Sequence, residues 1–247
     1  MEIIAHRGAS HDAPENTLAA INLGWRQDAD AVEVDVHLSR DGQLVVIHDN
    51  NTRRTGRVNN KVSAQTLAEL RGLDVGRWKG TQWSGQRIPT LEEVLAIVPE
   101  GRRLFLELKC GPEGIPELVR VAGTSRRRPS PIVAIGFSRQ TMKQLKAQML
   151  ELEVCWIVRF RRNWKTGRRF PARDEMIAAA QEAGLDGVDM DAGGPVDAPL
   201  VNQLKAAGLK VYVWTVDSVA RARRLVAANV DGITTNRPQW LRQKLAL

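Results

Sequence analysis

What most constrains the fold is the rhythm of the chain. Short apolar stretches alternate with helix-length segments, most clearly from residue 186 onward. There, residues 186–190, 210–213 and 232–235 read as strands, and residues 198–207, 218–228 and 238–245 as helices. Gly184 and Gly208 stand just past helices, where left-handed cap residues belong. Upstream, strands are expected at 3–6, 104–108, 132–136 and 154–158. Helices are expected at 16–27 with Asn16 as N-cap, from Pro89 onward, and at 115–122, 139–149 and 173–183. Strands alternating with helices imply parallel pairing through right-handed crossovers. About eight βα units fit in 247 residues, and a closed barrel takes about 250. The pattern therefore predicts an α/β (β/α)8 TIM barrel. An open doubly wound sheet is disfavoured, because no Gly-x-Gly-x-x-Gly loop follows the first strand. One domain over 1–247 is expected. The polar, Gly-rich residues at about 50–88 read as an insertion or cap after the second unit, with one short helix at 64–70.

The second unit, AVEVDVHLSRDGQLVVIHD over residues 31–49, reads as two strands joined by the turn Ser39-Arg40-Asp41-Gly42. Val32, Val34 and Val36 share one face, and Glu33, Asp35 and His37 the other. Carboxylates two residues apart on a strand stand about 7 Å apart along it and can converge on one divalent cation. The second strand ends in His48-Asp49. A half-exposed strand shows the same alternation, so this stretch alone leaves both readings open.

In a barrel of this kind, chemistry sits at the C-terminal strand ends. The first strand ends in His6-Arg7-Gly8, and the second unit supplies Glu33, Asp35 and His48. In residues 104–109, three leucines take one face, and Phe105, Glu107 and Lys109 the other. Asp189 and Asp191 read as the polar end of a strand. Trp214-Thr215 ends the seventh strand, and Thr234, Thr235 and Asn236 the eighth. Three carboxylates without cysteine form a hard oxygen set that suits Mg²⁺ or Ca²⁺ rather than Zn²⁺. Arg7 and Lys109 can offset surplus negative charge and bind an anion, Arg through a bidentate fork. Two imidazoles can move protons near neutral pH. This set matches cleavage of a phosphodiester.

The motifs His6-Arg7-Gly8, Pro14-Glu15-Asn16-Thr17, Glu33-Val34-Asp35-Val36, His48-Asp49, Glu107-Leu108-Lys109, Trp214-Thr215 and Asp231-Gly232-Ile233-Thr234-Thr235 occur in this order over nearly the whole chain. In that order and spacing they resemble the glycerophosphodiester phosphodiesterase family. The resemblance implies a barrel with a small insertion and hydrolysis of glycerophosphodiesters to sn-glycerol 3-phosphate and an alcohol. By the family's motifs, Glu33, Asp35 and Glu107 would hold the cation, and His6 and His48 would be the acid–base pair. Arg7 and Lys109 would hold the phosphate, and Trp214 would contact substrate. It further implies attack by the glycerol 2-hydroxyl on phosphorus, followed by opening of the cyclic phosphate by water. A lysophospholipase D-type phosphodiesterase on the same site is the nearest alternative. A barrel glycosidase would need two carboxylates about 5 to 10 Å apart, and the fourth strand ends without an acid. A non-enzymatic anion-binding protein predicts that His6 and His48 are dispensable.

The formal net charge is +8, with basic clusters at Arg126-Arg127-Arg128, at Arg159 with Arg161-Arg162, and at Lys165 with Arg168-Arg169. They read as solvated faces, or as attraction for a phosphate ester or transient contact with a membrane surface. No aromatic-interleaved pattern supports a nucleic-acid partner. No run of about 18 apolar residues predicts a transmembrane helix, and the chain passes from Met1-Glu2 into a strand, so no signal peptide is expected. Cys110 and Cys155 lack metal-site spacing and read as reduced thiols of a cytoplasmic protein. Trp78 and Trp83 are expected to form the core of the cap. Oligomeric state is open.

Overall fold

The computed structural model describes residues 1–124, 131–162, 164 and 169–247. The basic cluster at Arg126–Arg128, and Lys165 and Arg168, lie outside the described residues. In chain order the strands are β1 (Glu2–His6), β2 (Ala31–Leu38), β3 (Leu44–Val46), β4 (Arg103–Leu108), β5 (Ile132–Gly136), β6 (Glu153–Val158), β7 (Arg161–Arg162), β8 (Arg169–Phe170), β9 (Gly187–Asp191), β10 (Lys210–Trp214) and β11 (Gly232–Thr235). The helices are α1 (Leu18–Arg26), α2 (Arg53–Gly56), α3 (Leu67–Arg71), α4 (Leu91–Ala96), α5 (Ile115–Thr124), α6 (Arg139–Gln148), α7 (Arg173–Glu182), α8 (Ala198–Ala206), α9 (Val219–Ala227) and α10 (Pro238–Leu245).

Among the described residues, β1, β2, β4, β5, β6, β9, β10 and β11 form a closed ring of eight parallel strands, sealed by pairing of β1 with β2. This is the expected TIM barrel. The ring closes because each parallel strand is linked to the next by a crossover that packs outside it. Outward residues such as Leu104, Leu106 and Leu108 meet the helices, while Phe105, Ile4, Val133, Cys155 and Tyr212 fill the interior. Gly232 is small for a reason: a Cβ there would lie 2.8 Å from the Tyr212 ring. Below this layer, Arg103 donates to Glu2, Glu153 and the Tyr212 hydroxyl and closes the barrel floor.

β3 returns antiparallel to β2, with Val36 opposite Val46, so the pair is the expected hairpin. Its return brings the Ile47 amide to the Asp35 carbonyl. The chain after it carries α2, α3 and two short 3-10 turns. More local helix forms there than the single segment expected at 64–70, and α3 begins only at Leu67, capped by Thr66. The core of this stretch is aliphatic: Val45, Ile47, Val62, Leu70, Val75 and Ile88. Trp78 and Trp83 stay partly exposed and do not build it, contrary to expectation. The basic stretch after β6 contains a short antiparallel ribbon of β7 and β8. No helix among the described residues is long and apolar enough to cross a membrane.

Candidate active site

The first strand ends in a turn that only a few residues can make. Arg7 and Gly8 have φ of +56° and +79°. A Cβ on Gly8 would lie 2.4 Å from the Ala20 carbonyl carbon. The turn aims the Arg7 amide at Glu33 Oε2, 2.9 Å away, while its guanidinium reaches Glu15 at 2.8 Å and Asp35 at 3.2 Å. Asn16 does not cap α1. Thr17 does, its hydroxyl accepting from the Ala20 amide. Asn16 takes φ +58° and grips Asp35 instead, donating Nδ2–H to Oδ2 at 2.8 Å and accepting the Asp35 amide at 3.2 Å. The side chain is thus used for the site rather than for the helix end.

Glu33, Asp35 and Glu107 each present a carboxylate oxygen, all within 4.8 Å of one another and buried. In register, Asp35 lies beside Glu107. Lys109 Nζ lies 3.2 Å from Asp35 Oδ1 and 2.8 Å from Glu107 Oε1, yet neither oxygen receives a well-angled hydrogen bond. Burial and the charge of Asp35 raise the Glu33 carboxyl well above the carboxylate range and push Glu107 up to about 7. Burial opposes ionisation of Asp35 too, but Arg7 and Lys109 hold it below the usual range. Three buried acids with too little positive charge between them, and two orphaned oxygens, form a group that can hold a divalent metal ion.

Both imidazoles are oriented through Nδ1. His6 Nδ1 lies 2.7 Å from Asn236 Oδ1, and Asn236 donates Nδ2–H to Asp217, which fixes the amide with oxygen toward the ring. His6 therefore donates from Nδ1 and keeps Nε2 as an acceptor, 4.0 Å from Glu33. Burial and Arg7 depress its pKa to about 4, so it is neutral at physiological pH. His48 Nδ1 lies 2.7 Å from Asp49. Arg54 of α2 clamps Asp49 and Glu15 together. A continuous chain thus runs from His48 through Asp49, Arg54 and Glu15 to Arg7. His37 meets the His48 carbonyl through Nε2 at 3.1 Å.

These groups line one side of a cavity of about 300 Å³ at the C-terminal strand ends. His6, Arg7, Glu33, His48, Glu107 and Lys109 come from the β1, β2 and β4 side, and Phe137, Arg159, Asp189 and Trp214 from the other. Of the residues expected from the sequence, His6, Arg7, Glu33, His48, Glu107, Lys109 and Trp214 line this cavity, and Asp35 is buried behind it. Asp189, read as a polar strand end, is inside: it is 2% exposed, its Oδ1 has no partner, and burial and Glu107 raise its carboxyl far above the usual range. Asp191 instead accepts from the Gly193 amide. Sequence reasoning also missed Asp217 and Arg54. The only available signal was the nearness of Arg54 to His48-Asp49. Trp78 and Trp83 do not line the cavity.

The fold and this acid–imidazole–cation cavity define a barrel enzyme of phosphodiester hydrolysis. The model of the glycerophosphoryl diester phosphodiesterase family matches residues 6–240, and the chain belongs to that family. It is 32% identical, over 97% of its own length and 95% of the other's, to a glycerophosphodiester phosphodiesterase of Caldanaerobacter subterraneus subsp. tengcongensis. The structure of an Oleispira antarctica phosphodiesterase in complex with the product sn-glycerol-3-phosphate superposes with a TM-score of 0.88 at 30% identity, covering 100% of this chain and 97% of that one. A glycerophosphodiester phosphodiesterase structure from Agrobacterium tumefaciens superposes with a TM-score of 0.81 at 26% identity, covering 98% and 99%.

Proposed function

We propose that the chain splits glycerophosphodiesters into sn-glycerol 3-phosphate and an alcohol with the help of one divalent cation, Mg²⁺ or Ca²⁺. Glu33, Asp35 and Glu107 are the proposed metal ligands, and Arg7 and Lys109 the phosphate-binding cations. His6 and His48 are the proposed proton carriers, with Trp214 contacting the substrate. The carrying observation is the convergence of three buried, under-neutralised carboxylates with two imidazoles whose Nδ1 atoms are both engaged. That leaves both Nε2 atoms to serve the substrate.

The bound ion would supply Lewis-acid stabilisation of charge developing on the phosphoryl oxygens. The chain's own residues do the rest. Arg7 and Lys109 draw the diester in and offset its charge. One imidazole takes the proton of the glycerol 2-hydroxyl as that oxygen bonds to phosphorus. The other gives a proton to the departing alcohol oxygen as its bond to phosphorus breaks. Water then opens the cyclic phosphate with the two roles exchanged. His6, neutral and acceptor-ready at Nε2, suits the first base role, and His48, beside the Asp49 carboxylate, the acid role. The reading extends to the whole chain as one domain. Residues 50–88 act as a cap that anchors His48 through Arg54, and two free cysteines fit a cytoplasmic setting.

The test is release of glycerol 3-phosphate from glycerophosphocholine, first with EDTA and then with Mg²⁺ or Ca²⁺ restored. Activity that EDTA removes and one ion restores is expected. Activity indifferent to exhaustive chelation, with no ion found by elemental analysis, would overturn the metal assignment. Activity confined to lysophospholipids would overturn the substrate class.

A further inference from the structure

The cavity wall facing the carboxylates is built from two rings and a guanidinium. Phe137 follows β5, Arg159 follows β6, and Trp214 ends β10. The rings meet edge to face, with centroids 5.9 Å apart and planes at 89°. Trp214 is fixed by donating Nε1–H to the Asp189 carbonyl at 3.2 Å. Arg159 lies in the angle between them, its guanidinium carbon 5.3 Å from each ring centroid. Lys109 Nζ stands 5.9 Å from the Phe137 ring as well. Phe137 is 42% exposed, so this wall meets whatever enters the cavity.

We infer that this corner receives the alcohol arm of the diester and selects arms that carry negative charge. The inference rests on the phosphodiester reading of the cavity. The glycerol must lie at the carboxylates and imidazoles for its 2-hydroxyl to attack, which leaves the variable arm for the opposite wall. A quaternary ammonium arm would seek the aromatic faces by cation–π attraction. Arg159 already stands over both rings, and Lys109 stands near one, so such an arm meets like charge at the mouth. Contact with the rings leaves the guanidinium its N–H donors, and their planar fork matches a carboxylate or a second phosphate. Arg159 forms no ion pair with another described residue. Asp189, the acid on this side, is only 2% exposed, so an arm at the mouth meets the guanidinium first. The recognised class is a glycerophosphodiester whose alcohol bears an anionic group, with the phosphate of bis(glycerophospho)glycerol as its simplest example.

The experiment compares kcat/KM for bis(glycerophospho)glycerol, glycerophosphoglycerol and glycerophosphocholine, with the ion that best supports turnover. The expected order is anionic, neutral, cationic arm, with about tenfold or more between the extremes, equivalent to about 1.4 kcal/mol. Arg159→Gln is expected to bring that ratio to within about threefold of unity. Arg159→Glu is expected to invert it in favour of the choline diester, a gain that misfolding cannot mimic. A wild-type ratio near one, or a ratio unmoved by both variants, overturns the arm preference while leaving the hydrolytic reading standing. A protein inert toward all three diesters with every ion tried overturns that reading and the preference with it.

Discussion

Replacing Glu107 by Gln should make the metal-free protein more stable above neutral pH. Glu107 is 8% exposed, and its folded pKa is about 7 against an ordinary 4.5. A carboxyl whose folded value is raised holds its proton more tightly in the native state. Between those two values the native state binds more protons than the unfolded chain, so stability falls as pH rises through that window and is flat beyond it. The gap corresponds to about 3 kcal/mol of destabilisation at pH 8. Gln keeps the shape and never ionises, but it loses the 2.8 Å ion pair with Lys109, which retains Asp35 at 3.2 Å. Allowing for that loss, a net gain of about 2 kcal/mol is expected, or roughly 4–8 °C in Tm for a domain of this size. The assay is thermal unfolding followed by circular dichroism in EDTA from pH 5 to 8.5, then with Ca²⁺ or Mg²⁺ added. Wild type should melt progressively lower as pH rises and recover with the ion. Glu107→Gln should show a shallower fall and a weaker response to the ion. If the variant melts below wild type at pH 8 in EDTA, Lys109 neutralises Glu107 fully and the argument for an under-neutralised acid cluster is wrong.

His6→Ala and His48→Ala should each lower kcat by about 10²- to 10⁴-fold with melting temperatures close to wild type. Near-normal turnover in either would remove that imidazole from the proton transfers. Asp217→Asn should free the Asn236 amide to turn, losing the fixed acceptor for His6 Nδ1. A fall in kcat of about tenfold, with the metal-induced rise in Tm unchanged, is expected, and an unchanged kcat and pH profile would show that the amide is held by other means. Gly8→Ala should destabilise the fold by about 2–3 kcal/mol through a forced positive φ and collision with the Ala20 backbone, and an unchanged denaturation midpoint would contradict it.

Much of this was legible in the sequence because the decisive signals are local. The strand at 132–136 and the helix at 238–245 fall where the pattern put them, since apolar runs bounded by Gly, Ser or Pro leave little freedom. Alternation put Glu33 and Asp35 on one face, and Glu107 and Lys109 on another, and the parallel register then brought the two faces together. What stayed hidden depends on distance along the chain. His6 and Asn236 are 230 positions apart, so nothing local marks the amide that orients the ring. Asn16 misled because its local identity fits a helix cap, while a tertiary partner, Asp35, claims its side chain. Asp189 is ambiguous for the same reason: a polar strand end looks alike whether it faces solvent or a cavity.

The β2–β3 hairpin explains why one short stretch carries so much of the site. A barrel strand running outward delivers side chains only at its own end. β3 reverses that course and pairs back along β2, so the chain returns to the level of Asp35 before His48 leaves it. One hairpin therefore places carboxylates and an imidazole at the same depth from a single stretch of about twenty residues. The segment that follows is tied to the site. Its first helix supplies Arg54, which binds the partner of His48 on one side and the partner of Arg7 on the other. A displacement of that helix would move His48 and Arg7 together. That segment, His48 and Arg7 are thereby one mechanical unit, whereas Phe137, Arg159 and Trp214 lie at the ends of strands outside it. Substitutions on that far wall can change which alcohol is accepted without loosening the groups assigned to the chemistry.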